Sequence, residues 1–196
     1  RYLKKDIWPK IRRGLPDVKL HIYGAYDSAS VKELHNESEG FLVHGFVKDA
    51  FDVITSSKVL LAPLRFGAGL KGKLIQAMQC GTPCAMSTVA AEGMFGSEDP
   101  NGIIENDITL FVQKCIKLYT EESLWSDSRS NGFKILKNRF IKEEHHFKLK
   151  ARISLLQSTI QSHRSNNFVG QLLAHHQFQS TKYMSRWIEA KNANLR

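Results

Sequence analysis

An α/β fold built on a doubly wound parallel sheet, followed by a run of helices, is the architecture this chain predicts. Three observations carry the prediction. Short apolar segments alternate with helical patterns over most of the first 106 residues. One segment, Val59-Leu60-Leu61-Ala62, is apolar at every position, as expected of a parallel strand covered on both faces. After Asp107 the strand patterns stop and only helical spacing remains.

Residues 2–14 read as a helix ended by Gly14-Leu15-Pro16. Lys19 to Tyr23 reads as a strand closing on Gly24, and Val31 to Glu39 as a helix. Phe41 to Val47 is a strand with Gly45 near its end, and Ala50 to Ser56 a short helix. After the strand at 59–62, Leu70, Leu74, Ala77 and Met78 recur at helical spacing, and Gly81-Thr82-Pro83 stops that helix. Pro83 to Met86 and Gly102 to Ile104 supply two further strands. Asp107–Thr120, Glu122–Asn138 and Ile141–Ser162 are helical, the last with Leu149, Ile153, Leu156 and Ile160 on one stripe. Ser165-Asn166-Asn167 interrupts, and a final helix runs from Phe168 to Lys191. The boundaries expected are a lobe at 1–140 and a helical extension at 141–196. The opening Arg1-Tyr2-Leu3-Lys4-Lys5 already lies inside an amphipathic pattern, so a piece of a longer polypeptide is expected.

The 196 residues suffice for one good core with extra helices, and 42% hydrophobic with 24% charged residues is ordinary globular composition. No run of about eighteen apolar residues marks a membrane span. The three cysteines form no metal-like cluster, and Cys80 and Cys84 read as reduced thiols near the core, in keeping with a cytoplasmic setting. The net charge of +9 favours anionic partners. A nucleotide diphosphate or an acidic membrane surface fits. Nucleic acid does not, because no aromatic platform is interleaved with the basic residues.

The chemistry concentrates at residues 61–74. A strand runs into Gly67, Gly69 and Gly72, with Lys71 and Lys73 between and after them, and a helix begins there. A helix start presents unpaired N–H groups and the positive end of the helix dipole. Glycines let an anion approach the backbone, so the backbone of Gly67, Ala68, Gly69, Leu70 and Lys71 forms a candidate diphosphate cradle, with Lys71 or Lys73 neutralising charge.

The segments Ala62-Pro63-Leu64-Arg65-Phe66-Gly67-Ala68-Gly69-Leu70-Lys71-Gly72-Lys73, Ala77-Met78, Gly81-Thr82-Pro83 and Ala91-Glu92-Gly93-Met94 fall in order. Together they resemble the donor-binding half of the group 1 (family 4) glycosyltransferases, enzymes of the GT-B architecture, with weaker echoes from Ile7 to Phe140. The resemblance implies a Rossmann-like C-terminal lobe whose first strand is missing here. It implies a retaining hexosyl transfer from a UDP- or GDP-sugar to a polysaccharide, lipid-linked glycan or protein acceptor. No metal or other cofactor is implied, and the acceptor-binding N-terminal lobe of the same polypeptide is the expected partner. It places Gln76 at the ribose and Ala68 at the sugar, where many members carry glutamates. It places Phe46 and Val47, after Gly45 and near Asp49, at the base. Gly24 closes a strand facing the same crevice.

The substitutions at Ala68 and Gln76 open a second reading, a degenerate lobe that binds a partner instead of a donor. A nucleotide-sugar epimerase shares the two-lobe fold and stands third. The paired histidines His145-His146 and His175-His176 diverge by about 100° on a helix and make no joint metal face, and His44 reads as a structural residue. The end of the chain, with Phe168, Leu172, Leu173, Phe178, Met184, Trp187 and Ile188, carries apolar area suited to docking on a lobe or on a second copy. The setting expected is cytoplasmic, with the inner face of a membrane as a further contact, and this chain alone is expected to carry half an active site and no transferase activity.

Overall fold

The computed structural model describes residues 1–25 and 28–193. The side chains of His175, His176, Gln177 and Phe178, part of the anticipated docking end, lie outside the described residues. The chain divides into two compact units, Arg1–Ile141 and Lys142–Arg196.

In the first unit a π-helical turn, Leu3–Ile7, leads into α1 (Trp8–Gly14). There follow β1 (Leu20–Tyr23), α2 (Ala29–Lys32), β2 (Phe41–Gly45), α3 (Ala50–Thr55) and β3 (Leu60–Ala62). Next come α4 (Gly72–Cys80), β4 (Cys84–Met86), α5 (Thr88–Ala91) and β5 (Gly102–Ile104). Helices α6 (Ile108–Thr120) and α7 (Glu122–Arg139) close the unit.

All pairing between these strands is parallel, in two ladders, β1–β2 and β3–β4–β5. The fold class is therefore the α/β class read from the alternation, with the hydrogen-bonded sheet in two pieces. The double winding is plainest at β4. Cys84 and Met86 pack with α4, α7 and the loop residues Met94 and Phe95, whereas Ala85 packs with α1 and α6. A strand period of two sends neighbouring residues to opposite faces, so helices must cover both. Leu20 and Ile22 of β1, Val43 of β2 and Leu61 of β3 share the α1–α6 core, so both ladders bury one face in it.

Three local expectations are corrected. The helix expected at 31–39 is one turn, after which Asn36 turns back to bridge Phe41 with paired N–H···O bonds of 2.8 and 2.9 Å. The strand expected to reach Val47 stops at Gly45, whose φ of +77° bends the chain out of the ladder. The helix expected at 141–162 breaks at Thr159 into α8 (Lys142–Ser158) and α9 (Ile160–Ser165).

The second unit consists of α8, α9 and α10 (Phe168–Ala193). Neither α8 nor α9 buries a residue. Phe147, Leu149 and Ile153 are exposed, as are Phe168, Leu172, Leu173, Met184, Trp187 and Ile188. Of the anticipated stripe on α8 and α9, Leu149 and Ile153 are exposed whereas Leu156 and Ile160 are half-buried. Among the described residues no helix is long and apolar enough to cross a membrane.

Candidate functional site

The segment between β3 and α4 folds as local chemistry dictates. Leu60 and Ala62 hydrogen-bond to β4, anchoring the strand (Leu60 N–H to the Pro83 carbonyl 2.9 Å, Ser87 N–H to the Ala62 carbonyl 3.2 Å). The chain then turns through Gly69 at φ +68°, a conformation that glycine reaches without strain. Lys71 is the N-cap of α4, in extended conformation and without a capping side chain. No acidic residue occupies the first turn. The helix end therefore keeps its positive field, and its first N–H groups find no intrahelical acceptor. At the other end Gly81 (φ +69°) closes α4: Gly81 N–H bonds Met78 O at 3.1 Å and Thr82 N–H bonds Ala77 O at 2.8 Å. That is a Schellman cap. Leu74, Ala77 and Met78, fully buried, fix the helix on the core.

The turn itself stands in solvent: Gly67, Ala68, Gly69 and Leu70 are exposed, and Phe66 is 82% exposed. The backbone N–H of Lys71 points to the Met94 thioether at 3.4 Å, a soft and weak acceptor. Its ammonium donates to the Gly69 carbonyl at 2.6 Å, across the turn. Lys73 donates to the Gln76 amide oxygen at 3.1 Å. Gly72, Lys73, Ile75 and Gln76 line an open depression of about 530 Å³. An anion can take both lysines by displacing two neutral acceptors.

Gly24 and Val47 sit at the carboxyl end of the other ladder. Gly24 N–H donates to the Gly45 carbonyl at 2.7 Å, which joins the two strand ends. Phe46 is exposed and Val47 half-buried. The Asp49 carboxylate caps α3 by accepting Phe51 N–H at 2.7 Å, so its role is local. The structure thus gathers the anticipated residues into two groups, Gly67–Gln76 on one ladder and Gly24 with Val47 on the other.

A second cavity, of about 450 Å³, was not anticipated. It opens at the carboxyl ends of β3, β4 and β5, where Pro63, Arg65, Ser87, Thr88, Glu105 and Asn106 meet Tyr2 and Phe111. Arg65 lies over the Tyr2 ring at 4.7 Å, and Asn106 ties to Thr88 through bonds of 2.9–3.1 Å. Glu105 accepts from Lys114 at 2.7 Å, and that bond, with backbone N–H groups of Asp107 and Asn106, holds its carboxyl below the usual range. The sequence signal for this cavity is positional: each lining loop follows a strand, where open α/β sheets place ligands.

The cysteines take no part. Cys80, Cys84 and Cys115 are free thiols, and burial pushes Cys84 and Cys115 up to about 12. Some basic residues are also engaged: Lys134 pairs with Glu98 at 2.7 Å, and Arg129 lies over Trp125 and Phe133.

The family model described as glycosyl transferases group 1 matches residues 1–121. Among solved structures, the chain is similar to a mutant of S. aureus TarM in complex with Fondaparinux, alpha-GlcNAc-glycerol and UDP. The TM-score is 0.63 at 17% identity, over 76% of this chain and 31% of that one. The likeness is one of fold, and the chain spans about a third of that structure's length. No curated protein matches.

Proposed function

The chain belongs to the group 1 glycosyl transferases, and from that premise we propose that it is the nucleotide-sugar-binding lobe of a retaining enzyme. The donor is a UDP- or GDP-linked hexose, and the acceptor is a glycan, lipid or protein held on another lobe of the same polypeptide. The observation that carries the reading is the uncapped, acid-free start of α4 behind a glycine turn with two lysines.

In this reading the backbone of Ala68 to Lys71 and the first N–H groups of α4 hold the diphosphate. As the bond from the sugar to the diphosphate breaks, negative charge grows on the leaving oxygen. Fixed N–H dipoles and a lysine ammonium stabilise that charge as it forms, without a metal ion. Gln76, half-buried at the depression, bonds a ribose hydroxyl through its amide. Val47 and Gly24 offer backbone to the base. This lobe supplies half the active site, so no sugar transfer is expected from it alone. The exposed apolar residues of α10 and the basic balance suit contact with the acceptor lobe, a second copy or an anionic cytoplasmic membrane face.

Calorimetry of the folded chain with UDP, GDP and ADP tests the donor reading. Binding of UDP or GDP in preference to ADP is expected, UDP first because the TarM complex contains it. A folded sample that binds none of the three overturns it.

One observation favours a second reading, a non-catalytic partner-binding lobe. Both lysines already have local partners, Lys71 the Gly69 carbonyl across the turn and Lys73, on α4, an uncharged Gln76 where a carboxylate is anticipated. Gln76→Glu separates the two. A donor lobe gains nucleotide affinity through a charge-assisted ribose bond, whereas a partner-binding lobe gains none.

A further inference from the structure

Helix α10 opens on a cap, the Asn167 side chain accepting Gly170 N–H at 2.9 Å. At about 100° per residue, Leu172, Leu173, Tyr183, Met184, Trp187 and Ile188 fall within an arc of about 160°. All six are exposed. Gln171, Lys182, Ser185 and Glu189 occupy the opposite side. Val169 and Trp187 stand in line, about five turns and 27 Å apart. Ser180 falls in the apolar arc between them, so the seam lacks the unbroken repeat of a helix zipper. Charge gathers in the same unit. Residues 142–196 carry nine lysines and arginines against three glutamates, a net +6 of the chain's +9. Lys182, Arg186 and Lys191 of α10 and Lys148, Lys150 and Arg152 of α8 are all exposed.

We propose that α10 lies flat in an anionic lipid surface, its apolar arc at the boundary of headgroups and acyl chains, with basic residues of the second unit on the headgroups. The helix is not apolar enough to cross a bilayer. One apolar arc with a polar back suits the interface plane instead. Charge complementarity selects this occupant. Association of two copies in water buries the same face but sets two units of net +6 together, whereas an anionic bilayer buries it and gains attraction. Each basic residue near such a surface is worth about fivefold in partitioning. Lys191 lies within the arc, yet its ammonium stands over the Trp187 ring at 5.2 Å. Such a stem covers apolar surface while its head reaches the headgroups. The proposal needs nothing from the diphosphate turn and stands apart from the donor reading.

Flotation of the full chain with vesicles of phosphatidylcholine, with and without phosphatidylglycerol, tests the proposal. Binding to the mixed vesicles should be about tenfold or more tighter than to phosphatidylcholine alone, and should weaken as salt rises. Lys182→Gln with Arg186→Gln should weaken it roughly twentyfold. Leu173→Ser with Trp187→Ser should weaken it by about tenfold or more. Brominated acyl chains should quench the tryptophan fluorescence of the bound wild-type chain, and Trp187→Phe should remove that quenching. UDP affinity should be the same in all these variants, so the lipid surface and the donor reading fail separately. Four results overturn the proposal: no flotation with the mixed vesicles, equal partitioning onto both lipids, flotation without quenching at Trp187, or a discrete dimer in light scattering that stays off the vesicles. The third means adsorption by charge alone, and the fourth makes a second copy the occupant.

Discussion

Replacing Lys71 by alanine probes the diphosphate turn most directly. In the free protein the Lys71 ammonium donates to the Gly69 carbonyl at 2.6 Å. It must release that carbonyl to reach a phosphate. A charge-assisted bond contributes about 1.5–3 kcal/mol, and the bond given up is worth about 1 kcal/mol. The Gly69 carbonyl, on an exposed turn, recovers a partner in water. The net loss for Lys71→Ala is therefore about 0.5–2 kcal/mol, or roughly twofold to thirtyfold weaker UDP or GDP binding. Lys73→Ala gives up a bond to Gln76 in the same manner and should lose a similar amount. The two together should exceed either alone. The assay is calorimetry at fixed low ionic strength, with circular dichroism to confirm the fold. The effect should shrink as salt rises, because both ammonium groups meet solvent. If both single variants and the double variant bind as tightly as wild type, the turn is structural and the cradle reasoning fails.

Four further outcomes are expected. Gly102→Ala should cost about 3 kcal/mol or more in urea unfolding, because φ is +147° and an added Cβ meets the Cys84 carbonyl oxygen, with Cys84 N only 2.8 Å away; a loss below about 1 kcal/mol refutes the close β4–β5 approach. In the folded chain at pH 8, Cys80 should react first with a thiol reagent, while Cys84 and Cys115, raised to about 12 by burial, wait for unfolding; equal rapid labelling of all three contradicts this. Glu105 titrates below its usual 4.5 through Lys114, so its stabilisation is present above the ordinary carboxylate range and lost as pH falls through the lowered value. Glu105→Gln should destabilise at neutral pH and match wild type in strong acid, and a pH-independent difference in unfolding midpoint is the refuting result. Finally, the full chain should self-associate in light scattering whereas a version ending at Gln161 should not, since Phe168, Leu172, Met184 and Trp187 stand exposed; a monomeric full chain sinks that expectation.

What the sequence by itself determined is what short-range chemistry controls. The strand–turn–helix from Leu60 to Gly81 was legible because each step is local: an apolar strand, a glycine at positive φ, a helix face of Leu74, Ala77 and Met78, and a glycine cap. The family followed from the same ordered segment. Its anionic ligand was legible as an expectation for the same reason, since helix-end dipoles and glycine turns act within a few residues. The tertiary structure decided whatever depends on residues far apart in the chain. It divided the ladder into two pieces, and it drew Tyr2, Arg65, Ser87 and Asn106 round one cavity. A single extra residue in register brought His44 beside His21. It also left Leu149 and Ile153 of α8, and Leu172 and Trp187 of α10, exposed. Periodicity says which face of a helix or strand is apolar. Whether that face meets a partner is set by packing across the whole chain, which no local pattern encodes.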